Sequence, residues 1–117
     1  MSNYQKISVA PGARTELHDS LNLTGAEVSI NTMPAGAQVP FVHLHKQNEE
    51  IYGILSGQGT MNLDGEVVEL NAGDWLRVAP GVKRQLQAAP HSAISYLCIQ
   101  VKAGSLQQWT MTDAEVL

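Results

Sequence analysis

No disulfide can form within this chain, because Cys98 is its single cysteine. It stands in the apolar run SAISYLCIQV, which marks it as a small buried hydrophobe, since thiol chemistry needs an exposed, electropositive setting. Long apolar runs are missing too. Nowhere do about 18 apolar residues follow one another, the length a membrane-spanning helix needs. The N-terminal MSNYQKISVAPGARTE lacks the apolar centre of a signal peptide. The expectation is a cytoplasmic protein with no membrane partner. Basic residues are few: 7 Lys and Arg against 11 Asp and Glu give a net charge of −4, and the basic residues form no stripe. A nucleic-acid partner is not expected, because the phosphate backbone is gripped by clustered positive charge.

Several catalytic signatures are also absent. There is no GxSxG elbow and no cysteine pair with metal spacing. GILSGQGT has the glycines of a phosphate loop, but no lysine precedes Thr60 and no helical pattern follows, so the cradle and its charge are both missing.

What remains is a short, ordinary globular composition. The 117 residues, 44% hydrophobic and 15% charged, suit one domain over 1–117 with a core at about 24–101. Turn signals recur at Pro11-Gly12, Pro34-Ala35-Gly36, Gly57 to Gly59, Asp64-Gly65, Ala72-Gly73-Asp74 and Pro80-Gly81. Between them lie short runs rich in Val, Ile, Leu and Tyr, the rhythm of an all-β sandwich or small barrel. Strands are predicted at 26–33, 40–45, 51–56, 60–63, 66–70, 75–80, 84–88 and 93–101, with Asp64-Gly65 closing a two-residue hairpin. Residues 1–20 read as an extended arm. In the tail, 103–117, Thr112 and Glu115 have capping-box spacing, which allows a single helical turn or an extended arm.

The chemistry concentrates in HLHKQNEE, residues 43–50. On a strand, His43 and His45 project from one face about 7 Å apart, twice the rise per residue. Phe41 shares that face. If the next strand pairs with this one, Glu50 lands beside the imidazoles and completes a set of two histidines and a carboxylate, which suits Fe, Mn, Ni or Zn. Alternation turns Glu50, Tyr52 and Ile54 to the interior and Glu49 outward. His18 and His91 fall in loops and read as solvated.

These residues carry a family resemblance. His43, His45, Glu50 and Gly57 resemble the first motif of the cupin superfamily, and Gly73, Asp74, Pro80 and Gly81 in GDWLRVAPGVKR resemble the second. The glycine expected before the first histidine is replaced near Gln38. The likeness covers about 36–101 and is closest to small bacterial single-domain members. It implies a double-stranded β-helix, or jelly roll, with a metal or small-molecule pocket inside one end. It also implies a homodimer packed through residues 1–10.

One position breaks the pattern. The family's fourth ligand, a histidine, is Arg84 here, and a guanidinium has no lone pair to offer a metal. Arg84 can aim into the pocket at an anionic substrate, pair with Glu50 and displace the metal, or point to solvent. Arg77 reads as an outward, solvated arginine. The expected site is therefore His43, His45 and Glu50 for a divalent metal, with Arg84, Tyr52 and Phe41 on a small, anionic ligand. Tyr52 and Arg84 are the candidates for catalysis. The resemblance extends to dioxygenases, isomerases and sugar-modifying enzymes, and fold does not choose among them. A binding module without turnover and a structural protein with a vestigial cleft are the alternatives.

Overall fold

A computed structural model describes residues 3–110 and 112–117. Its seven strands are β1 (Arg14–Glu16), β2 (Glu27–Met33), β3 (Asn48–Leu63), β4 (Glu66–Asn71), β5 (Trp75–Val78), β6 (Arg84–Ala88) and β7 (Ile94–Lys102), with one helical turn, α1 (His18–Leu21). All pairings are antiparallel. One layer runs β1-β2-β7-β3-β5, and the other runs β4-β3-β6. Together they form the expected jelly roll.

β3 belongs to both layers. Its first part, through Gly57, lies between β7 and β5, and its second, from Gln58, lies between β4 and β6. The sequence pattern places a turn at Gly57 to Gly59; the chain instead bends there without leaving the strand. A register shift between Ile54 and Ser56 begins the bend, and Gly57 follows at φ +81°. A Cβ on Gly57 would stand 1.7 Å from the Ala93 carbonyl oxygen, so glycine is required by both angle and space. At the far end, Asp64 (φ 52°) and Gly65 (φ 93°) close the predicted hairpin, both in the left-handed region that a type I′ turn demands.

Three other expectations change. Residues 40–45 are not a strand: the stretch 38–45 meets β6 through isolated bridges at Gln38–Gln87 and His43–Arg84. The segment holds two more residues between those bridges than its partner does, and Pro40 has no N–H for a ladder, so the chain bulges outward at Phe41 and Val42. Nor does this segment pair with β3, whose neighbours on that side are β7 and β5. The N-terminal arm is only partly extended, since 14–16 join the sheet beside β2 and 18–21 form α1. The tail from 103 carries turns and coil, and no helix is found among its described residues; residue 111, next to the capping-box pattern, lies outside them.

The core lies between the layers, where Tyr52, Ile54, Met61, Leu86, Ile94 and Tyr96 are buried together. Among the described residues, no helix is long and apolar enough to cross a membrane.

Candidate metal and ligand site

A cavity of about 600 Å³ opens between the layers at the end crossed by residues 38–45. The donors reach it from two sides. Glu50 sits on β3, held between β7 and β5, and is 5% exposed. His43 and His45 come from the bulged segment opposite, and the bridge from His43 to Arg84 places those two residues face to face. His43 Nε2 lies 3.8 Å from Glu50 Oε1, and His45 Nε2 lies 3.3 Å from Oε2. One donor atom from each residue falls within 4.8 Å of the others. The two imidazoles meet edge to face with centroids 5.3 Å apart.

Glu50 is the hub. Its Oε1 accepts hydrogen bonds from the Tyr52 hydroxyl at 2.7 Å and Arg84 Nη1 at 2.8 Å, and its Oε2 accepts the Cys98 thiol at 3.3 Å. Burial alone would push its carboxyl pKa up, but the hydrogen bonds from Tyr52, Arg84 and Cys98 outweigh it and hold the group below its ordinary value. Burial raises the pKa of Tyr52, and pushes the Cys98 thiol up to about 12. Both therefore stay protonated and act as donors toward the carboxylate.

Arg84 does not point to solvent: it is 1% exposed. Besides Glu50 it donates from Nε and Nη2 to the Val82 carbonyl and from Nη2 to the Ala79 carbonyl. Four of its five N–H groups are thus engaged within the protein. Its packing is that of the ion-pair reading, with the guanidinium clamped to the candidate ligand. Tyr52 is likewise turned toward Glu50. Phe41 is 57% exposed at the cavity mouth, with its ring edge-on to His43 at 5.7 Å.

The donor set fits a divalent first-row ion in type and spacing. Ligands about 2.1 Å from a metal stand about 3 to 3.5 Å apart at right or tetrahedral angles, close to the separations here. Burial lowers the pKa of His43 and favours its neutral form, which is the form that carries a lone pair. Two features weaken the fit. The Arg84 charge offsets that of the carboxylate, and His43 Nδ1 is buried with no hydrogen-bond partner among the described residues, where a ligating imidazole usually has an outer acceptor to orient it.

Glu49 faces out and meets Arg77 at 3.6 Å, and His18 and His91 are exposed as expected, although His18 opens the helical turn α1 rather than lying in a loop. Cys98 and Arg14 escaped the sequence reading. Cys98 reads as core because its run is apolar, yet it faces Tyr52 across the sheet, and alternation along β7 puts it on the interior face with Tyr96 and Gln100. Arg14 lines the cavity because β1 pairs with β2, a register that the short run RTE does not signal.

Comparisons with known proteins agree with this architecture. A family model described as the cupin domain matches residues 29–100. The crystal structure of a cupin protein from Bacteroides fragilis is 71% identical, with a TM-score of 0.97 over 100% of this chain and 99% of that one. That of a Cupin 2 conserved barrel domain protein from Salinispora arenicola is 18% identical, with a TM-score of 0.68 over 85% of this chain and 92% of that one, a likeness of fold. An uncharacterised protein of Methanocaldococcus jannaschii is 31% identical over 85 residues, 73% of this chain, and the chain spans 63% of that relative's length. The matched segment takes in the histidine pair, Glu50 and the Gly73 to Arg84 stretch, all set on a jelly roll, and the chain belongs to the cupin family.

Proposed function

We propose that the cavity binds a small organic anion beside a divalent metal ion held by His43, His45 and Glu50. The observation that carries this is the convergence of three donor atoms within 4.8 Å of one another on the wall of a cavity of about 600 Å³, a size ordinary for small-molecule sites. A bound ion would supply Lewis acidity toward a ligand oxygen. The protein's own groups do the positioning. Tyr52, Arg84 and Cys98 fix the Glu50 carboxylate through three hydrogen bonds. Apolar walls that include Met61 and Leu86 exclude water from the ligand, and Phe41 flanks the entrance.

A second reading has its own support. The 2.8 Å contact of Arg84 with Glu50 puts a fixed positive charge where a cation would otherwise gain most from the carboxylate, which favours a pocket that works without metal. Elemental mass spectrometry on untagged, chelator-free protein separates the two. The proposal expects near one equivalent of metal per chain, lost in the His43→Ala, His45→Ala variant. Less than a tenth of an equivalent, unrestored by added Fe, Mn, Ni or Zn, would leave the metal-free reading standing. A broad substrate screen then separates turnover from binding alone.

A further inference from the structure

The charged side chains lining the cavity are two arginines, Arg14 and Arg84, and one glutamate, Glu50, a net charge of +1 inside a chain whose total is −4. Arg84 does not account for that excess toward a ligand, since it is paired with Glu50 and four of its five N–H groups are used. Arg14 does. Its Nη1 donates to Asn31 Oδ1 at 2.8 Å and its Nε to Glu16 Oε1 at 3.1 Å, so three of its five N–H groups have no partner among the described residues.

Its support is built from the sheet. Asn31 is 3% exposed and Ser29 2%, and Asn31 Nδ2 donates to Ser29 Oγ at 3.0 Å, which leaves Oδ1 aimed at Arg14. Polar residues so deep on an interior strand face cost free energy unless they are hydrogen-bonded; here they orient a guanidinium. The pairing of Arg14 with Asn31, and of Asn31 with Tyr96, turns Arg14 to the cavity side of β1, three strands along the layer from β3, where it stands at the rim with its side chain 53% exposed. Glu16 pairs with Arg14 but does not line the cavity.

We propose that Arg14, braced by Asn31, is the specificity-determining residue of the cavity and holds the carboxylate of a ligand whose apolar body lies along Met33, Val39 and Tyr96. The inference rests on the small-anion reading above and gives the anion its anchor. One guanidinium, its charge already shared with Glu16, suits a monocarboxylate better than a doubly charged phosphate, and its free N–H groups offer a carboxylate two parallel hydrogen bonds.

The test uses hexanoate, with hexanamide and hexyl phosphate as comparison probes, followed by NMR titration of the 117-residue chain. Expected is saturable binding of hexanoate with shifts at cavity residues, at least tenfold weaker binding of hexanamide, and weaker binding of hexyl phosphate. Arg14→Gln should weaken hexanoate at least tenfold in protein that still melts cooperatively above the titration temperature, and Arg14→Lys should recover part of the loss. Glu16→Gln, outside the cavity, should bind as well as wild type or better. Equal affinity of wild type and Arg14→Gln, no hexanoate binding by wild type, or tighter hexyl phosphate binding would each overturn the assignment. Repeating the titration in chelator distinguishes its failure from that of the metal: Arg14-dependent binding in metal-free protein keeps this inference and removes the metal from the function.

Discussion

At the scale of single residues, Glu50 and Arg84 form a buried ion pair, 5% and 1% exposed. Such a pair adds little net stability over a well-packed apolar replacement, but breaking it leaves an unmatched buried charge. Glu50→Gln is therefore expected to cost about 3 to 5 kcal/mol in urea denaturation, and Glu50→Gln with Arg84→Met should recover most of that. A double-mutant cycle measures the coupling, and additive losses would show that the two residues do not act as a pair. The same neighbourhood sets the pH response. Glu50 is held below its ordinary value in the folded chain, so its contribution is present above about pH 4.3 and is lost as pH falls through the folded pKa. His43 is also lowered. The unfolded chain takes up that proton first, near pH 6.5, and the folded state loses ground below that point. Urea midpoints between pH 7 and pH 4 should fall steadily. A flat profile between about pH 7 and pH 5 would contradict the His43 assignment, and the absence of a further fall below about pH 4 would contradict that of Glu50.

Among the elements, β3 is the one on which the others depend, because it belongs to both layers and has a paired neighbour on each side in each. Its passage between them turns on Gly57, whose missing side chain admits the Ala93 carbonyl. Gly57→Ala should cost more than about 3 kcal/mol, beyond the common range for point substitutions, or leave the chain unfolded. Gly12→Ala is the control: nothing lies within 4 Å of its added Cβ, and a change within about 0.5 kcal/mol is expected. Equal losses at the two positions, read by thermal melts, would deny Gly57 its role. The bulge at residues 38–43 matters differently. It ends strand pairing early and so frees His43 and His45 to meet Glu50 across the interior. A regular hairpin would have brought them together along one sheet.

For the whole molecule, the outward face of the larger layer is unusual. Val28, Ile30, Ile51, Leu97, Ile99 and Val101 lie there partly buried, on the strand face opposite the buried Ser29, Asn31, Tyr52 and Tyr96. Trp75 and Leu55, at 62% and 53% exposed, extend the same apolar surface. Contiguous surfaces of this kind mark association sites, and the expected solution species is a homodimer. Light scattering should give about twice the chain mass of 12.6 kDa, and Ile99→Lys should return it to the chain mass. A monomer at tens of micromolar would remove the expectation.

Local chemistry determined much of this protein. Alternation set the inward faces of Glu50, Tyr52 and Ile54, Asp64-Gly65 dictated its hairpin, and the HxH pair and following glutamate marked the cluster, because each depends on neighbours a few residues away. The sequence could also show that Arg84 is unable to ligate a metal. Only the tertiary structure decided what Arg84 does instead, since its partners Glu50 and Ala79 are chosen by packing. The same holds for Cys98, brought to Glu50 by the β3–β7 register, and for Arg14, brought to the cavity by β1 pairing with β2. Register between strands distant in sequence is settled by the whole buried interior at once, and no short motif carries that information.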